Sequence, residues 1–196
     1  MLQYKIVVAD TSLRDLVPEN KMIVYTNDTI VRIENFTSQL GKQVTIRHMI
    51  LNKSYLLLEM PFGKFAIQTD NSNADTVTKN PDKKYTIDAK CRRKKLLGRK
   101  ANRANVSHKG FETPVEFLYL KGYSTQIINS FEDLPGLPVK YSVVTTDAIF
   151  NYELTKMSEY SPNKDLFGIP SDYQKISFEE FMDLLIESKA GMTRDN

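Results

Sequence analysis

The chain has 196 residues, 41% of them hydrophobic, and its 27 basic and 24 acidic residues leave a net charge of +3. That supplies one buried core and is too even a balance for a dedicated nucleic-acid binder. A single cysteine, Cys91, excludes an intrachain disulfide and a cysteine-based zinc site.

No run approaches the roughly 20 apolar residues of a membrane-spanning helix, and the opening Met-Leu-Gln-Tyr-Lys lacks the apolar stretch of a signal peptide. A mature form whose leader has been removed reads the same way.

In chain order, Tyr4 to Ala9 reads as a first strand and Thr11 to Pro18 as an irregular stretch. Lys21 to Thr26, Thr29 to Phe36, Gln43 to Leu51, Ser54 to Met60 and Lys64 to Gln68 are short β-branched and aromatic runs. Asn27-Asp28, Leu40-Gly41-Lys42, Asn52-Lys53 and Pro61-Phe62-Gly63 separate them, the rhythm of an antiparallel meander joined by hairpins. Asp70 to Pro81 is polar, aperiodic and rich in turn formers, and is expected to be an exposed loop. Strands are expected again over Lys84 to Cys91, Ala101 to His108, Thr113 to Leu120, Tyr123 to Ile128, Val139 to Thr145 and Ala148 to Met157.

Only near the end does the period change. Ser177 and Glu180 form a capping box, and Phe178, Phe181, Met182 and Leu185 recur at helical spacing opposite Glu179, Asp183 and Glu187. The expected architecture is mainly β: one large curved antiparallel sheet, a half-barrel, over residues 1–176, followed by a C-terminal amphipathic helix and tail over 177–196. A closed barrel and a two-sheet sandwich are the alternatives.

The search for chemistry returns little. His48 alternates with Val44, Ile46 and Ile50, and a metal site there would need ligands from elsewhere, so an inward histidine satisfied by its neighbours is expected rather than a metal ligand. His108 falls where a strand runs into a turn. Cys91 lies between Lys90 and Arg92, which would lower its pKa, yet it also continues the alternation of Tyr85, Ile87 and Ala89. There is no nucleophile elbow, phosphate-binding loop or dinucleotide fingerprint, so neither catalysis nor a cofactor is expected.

The strongest local signal is charge. From Lys90 to Lys109, both included, there are nine Lys or Arg and no acid. Arg92, Arg93, Lys94 and Lys95 suit docking to an acidic partner or an anionic membrane surface, and equally suit an edge strand whose cations discourage edge-to-edge pairing. No aromatic residue that would stack on bases stands between Arg92 and Arg103, which argues against nucleic acid.

Two later segments carry a resemblance. Phe131-Glu132-Asp133-Leu134-Pro135-Gly136-Leu137-Pro138-Val139-Lys140-Tyr141 resembles the signature loop and strand of the GLPGLI-type exported proteins of Bacteroidota, and Leu166 to Ile176 resembles their closing Phe-x-Ile-Pro-x-x-Tyr. Leu97 to Val106 is similar to a further strand of that family, with Arg99 in place of its aromatic residue and Ala101 in place of its cysteine. The resemblance implies a lipoprotein-carrier-like half-barrel in the cell envelope, periplasmic or associated with the outer membrane, with peripheral or lipid-anchored membrane association.

The reading that follows is a non-catalytic envelope protein. Its concave face would take a hydrophobic ligand or segment (a lipid, an acyl chain or a polypeptide) on Ile46, Ile50, Phe117, Tyr119, Val143 and Phe150. The alternative is an accessory subunit of an envelope complex, docking through Arg92, Arg93, Lys94 and Lys95 and through the acidic helix.

Overall fold

Leu2, Tyr4, Ile6 and Val8 are buried and the residues between them are less so, the period of two that marks a strand with one face on a core. The same alternation recurs through the computed structural model, which describes residues 1–10, 12, 20–27, 29–37, 41–70, 85–128, 131, 133–146 and 148–192. The strands are β1 (Leu2–Val8), β2 (Asn20–Asn27), β3 (Ile30–Thr37), β4 (Gly41–His48), β5 (Lys53–Met60) and β6 (Gly63–Asp70) in the first half. They continue with β7 (Thr86–Leu96), β8 (Arg99–Ser107), β9 (Val115–Leu120), β10 (Leu137–Val144), β11 (Ile149–Met157) and β12 (Gln174–Ser177), before the helix α1 (Phe178–Met192).

The twelve strands among the described residues join one open sheet in the order β12-β6-β5-β4-β3-β2-β1-β11-β10-β9-β8-β7. β1 is the seam: the meander β2 to β6 fans out on one side of it and the meander β7 to β11 on the other. Among the described strands the pairing is antiparallel except between β12 and β6.

The sheet is strongly curved. Arg47 on β4 donates to the carbonyls of Gln126 and Ile127 in the β9–β10 connection, although five strands separate β4 from β9 in the sheet. Such a contact requires the sheet to curl around the face that bears Arg47, which is the inner one. Its main core joins Leu2, Tyr4 and Ile6 of β1 to Phe117, Val139, Tyr141 and Leu154 of the opposite wing. Ile128, Phe131 and Leu134 from the β9–β10 connection pack down into it. Tyr4 closes the seam by donating its hydroxyl to the Pro138 carbonyl at 2.8 Å, and burial pushes the Tyr4 and Tyr141 hydroxyls above the usual phenol range. The Leu-Pro-Gly-Leu-Pro turn ahead of β10 is as tight as its residues suggest, because a Cβ on Gly136 would overlap the Leu120 carbonyl.

The C-terminal residues wrap the β6 edge. Residues 158–173 cross the outer face, β12 pairs with β6, and α1 folds back so that Phe181 packs with Phe65, Ile67 and Ile176. The capping box forms as its spacing predicts: the Ser177 N–H donates to the Glu180 carboxylate at 2.6 Å and the Glu180 N–H to the Ser177 hydroxyl at 3.1 Å.

Three expectations are corrected. Tyr123 to Ile128 is not a strand; Thr125–Ile127 is a 3-10 helix, because the Ser124 hydroxyl accepts from the Gln126 N–H and turns the chain inward. The β7–β8 hairpin runs through the basic residues to a turn at Leu97-Gly98, with both residues at positive φ, 49° and 74°. β12 was not anticipated, since its partner lies more than a hundred residues upstream and a parallel pairing leaves no turn signal beside it. The loop expected over Asp70 to Pro81 lies outside the described residues from 71 onward.

Candidate functional site

The outer face of the β3–β6 wing carries a mixed row. Strand register places Ile30, Arg32 and Glu34 of β3 beside His48, Ile46 and Val44 of β4, with Tyr55 and Leu57 of β5 beyond them. Val44, Ile46, Leu57 and Ala66 form a small core of their own, against which Ile30, Tyr55, Ile169 and Tyr173 pack. Ile169 and Tyr173 come from the crossing segment 158–173, which is therefore a strap lying on the sheet.

The strap is tied down along its length. The N-terminal ammonium donates to the Ser158 carbonyl at 2.8 Å, and Tyr160 packs on Tyr25 with centroids 5.4 Å apart. Arg32 donates to the Leu166 carbonyl at 3.0 Å while its other side meets Glu34 at 2.7 Å. Lys42 approaches the same buried carboxylate at 3.1 Å, so Glu34 is satisfied by two cations. Near the far end the Tyr173 hydroxyl donates to Glu59 at 2.7 Å, and Lys64 meets Asp172 at 2.9 Å. Desolvation and the Glu59 carboxylate push the Tyr173 hydroxyl up to about 12. The hydrogen bond from Lys64 holds the Asp172 carboxyl below its usual range.

Between strap and sheet lies a half-open cleft of about 250 Å³ lined by Ile30, Ile46, His48, Lys53, Tyr55, Phe167, Ile169 and Lys175. Its body is aliphatic and aromatic. Lys53 and Lys175 are exposed and form no ion pair among the described residues. His48 accepts from the Leu51 N–H through Nδ1 at 3.2 Å, so its neutral form carries the proton on Nε2. The arrangement offers an apolar floor, two ammonium groups and one imidazole N–H, without a nucleophile paired to a base.

The six residues expected on one apolar face do not stand together. Phe117 and Tyr119 are buried on the inner face, and Val143 and Phe150 pair across β10 and β11 at the margin of the same core. Ile46 points the other way: it pairs with Arg32, which pairs with Tyr25, the neighbour of inward-facing Val24. Ile50 sits in the β4–β5 turn with 71% of its surface exposed. Ile46 alone of the six lines the cleft. The alternation Val44-Ile46-His48 ended one residue pair sooner than the sequence suggested, and Ile50 lies beyond the strand.

Arg92, Arg93, Lys94 and Lys95 are exposed on β7, the free edge of the sheet, so the edge-strand reading of these residues holds. His108 is not simply solvated; it stacks on Tyr85 at 4.6 Å and accepts from the Gly110 N–H, and desolvation with Lys109 lowers its pKa. The side chain of Cys91 lies outside the described residues. Among the described residues no three His, Cys, Asp or Glu side chains gather as a metal site would require. No described helix is long and apolar enough to cross a membrane.

Sequence reasoning missed Lys53, Tyr55, Phe167, Ile169 and Lys175 as one site. Phe167 and Ile169 lay in a motif read as a structural anchor, and nothing in sequence says that this anchor lands on β3 to β5. Comparison with known proteins adds a fold and no activity. No family model and no curated protein matches the sequence. Among solved structures the chain is similar to that of PNGF-II in space group C2, with a TM-score of 0.56 and 15% identity, over 95% of this chain and 32% of that one. The chain thus spans about a third of the length of that protein, and the likeness concerns the fold.

Proposed function

We propose that this chain is a non-catalytic binding protein of the cell envelope that holds a small anion with an apolar body, of the medium-chain carboxylate kind, between its strap and the outer face of its sheet. The observation that carries the reading is the cleft, where Ile30, Ile46, Tyr55, Phe167 and Ile169 stand beside Lys53 and Lys175. A ligand with a charged head and an aliphatic tail meets both needs, releasing water from the floor and giving the lysines a counter-ion. A volume of about 250 Å³ admits roughly eight groups the size of a water molecule, which sets an eight-carbon acid as the natural first probe. The envelope setting draws on the resemblance of the Leu134–Pro138 and Phe167–Pro170 motifs to exported proteins.

Titration calorimetry with octanoate, and with octylamine as its charge-reversed control, tests the reading. Octanoate is expected to bind and octylamine to bind at least tenfold more weakly, because each charge-assisted contact contributes about 1.5–3 kcal/mol. Lys53→Ser with Lys175→Ser should erase that preference. Equal binding of the two probes, or none of octanoate, sinks the proposal. Recovery of the native protein from cytosol alone, on fractionating its host, would remove the envelope setting.

A further inference from the structure

We propose that the β7–β8 hairpin is a membrane-docking element, with Leu97 at its apex entering the interface of an anionic lipid bilayer and the surrounding arginines and lysines resting on the headgroups. The hairpin's last three pairs, Lys94 with Ala101, Lys95 with Lys100 and Leu96 with Arg99, run on past the last β8–β9 pair, Asn102 with Tyr119. The apex therefore stands at the corner of the sheet, on the edge strand and beyond the neighbouring strand's pairing.

The composition of that apex is unusual for a turn. Leu97 and Gly98 both have positive φ, the two-residue geometry that Asn-Gly serves best and a leucine serves poorly. The chain accepts this unfavourable backbone and still leaves 48% of the Leu97 surface exposed. An apolar side chain held out at a conformational cost signals a use for its exposure.

The flanks point to the occupant. Arg92, Arg93, Lys94, Lys95, Arg99 and Lys100 are all exposed. Of these only Lys94 meets a carboxylate among the described residues, Glu116 at 3.9 Å. Tyr123, 38% exposed, lies against the apex and accepts from the Arg99 guanidinium at 3.2 Å. An exposed leucine, a tyrosine at its side and a collar of exposed cations, of which Lys94 alone meets a carboxylate among the described residues, reproduce the layers of an anionic bilayer surface: hydrocarbon boundary, polar interface and phosphate plane. An acidic protein would complement the cations and leave Leu97 unexplained.

Co-sedimentation of the full chain with vesicles of phosphatidylcholine, with and without about a third phosphatidylglycerol, tests the proposal. The protein is expected to partition onto the anionic vesicles and to be released as salt is raised well above ~0.1 M. Each basic residue near the surface contributes about fivefold, so the variant carrying Ser at positions 92 to 95 should bind on the order of several hundred-fold more weakly. Leu97→Asn suits the turn and removes the apolar contact. It should fold at least as well and bind the same vesicles about fivefold more weakly. No binding of the unmodified chain to anionic vesicles overturns the proposal, as does undiminished binding of the four-fold variant. Undiminished binding of Leu97→Asn overturns insertion of the apex, and tighter capture by immobilised polyglutamate than by vesicles assigns the surface to an acidic protein instead.

Discussion

Phe131→Ala removes the ring that closes the inner face over Tyr85, Phe117 and Tyr141, at centroid distances of 5.0, 5.1 and 5.4 Å. Phe131 is 4% exposed, so its transfer from water contributes roughly 1.5–3 kcal/mol. Its edge-on ring contacts add about 0.5–1.5 kcal/mol each. The strands beneath it are fixed by the sheet and cannot collapse into the space left behind, so the loss should reach about 4–5 kcal/mol, the upper part of the range for such substitutions. For a chain of this length that corresponds to a fall in Tm of roughly 10–15 °C. Urea titration followed by near-ultraviolet circular dichroism reads the change, with the slope expected to stay constant. A loss below about 1 kcal/mol would refute the reasoning. Phe131 would then be a lid over an open hollow, and a ligand site among Phe117, Tyr119, Val143 and Phe150 would regain its claim.

Glu34→Ala strands the nearly buried Arg32 without its carboxylate and is expected to cost about 2–4 kcal/mol by chemical denaturation; a change under ~0.5 kcal/mol would show the pair to be dispensable. The Lys64–Asp172 pair gives the strap an acid sensitivity. Because the folded Asp172 carboxyl is depressed below its ordinary value of 3.8, its contribution is present above that pH and is lost as the pH falls through the folded value. Amide exchange in the strap should rise over that acid range, and Asp172→Asn should flatten the dependence; identical profiles count against it. Leu97→Asn is expected to raise stability by about 1 kcal/mol, the reverse of most substitutions, and a lower Tm would show that the apex carries no backbone strain.

Much of the architecture was legible because each strand advertises itself locally. The period of two along Leu2 to Val8 and the Ser177–Glu180 box act within a few residues, and both appear where the pattern puts them; the turn that holds Asn52 at a φ of 52° is present but begins earlier than expected, after His48. What the sequence hid depends on chain segments far apart. Ile46 and Phe117 are both apolar residues of alternating strands, yet nothing local tells which face of a two-faced sheet each will occupy; that choice passes through β3, β2, β1 and β11 by register. The cleft was invisible for the same reason, since Lys53 and Lys175 come to line one cleft only when the strap crosses the outer face and β12 pairs with β6.

An open sheet must deal with two free edges, and this chain treats them differently. The β6 edge is covered by β12, by the strap on one face and by α1 on the other. The β7 edge has no cover among the described residues and is guarded by charge along the strand. Edge protection accounts for cations on Lys90 to Lys95, where the free N–H and C=O groups lie. It accounts in the same way for Arg99 and Lys100, which lie on β8 beyond its pairing with β9, but not for a leucine in the left-handed region at the apex, where asparagine would protect the edge equally well. What protection leaves unexplained is Leu97 at the tip of the hairpin, an exposed apolar side chain that a bilayer interface would select.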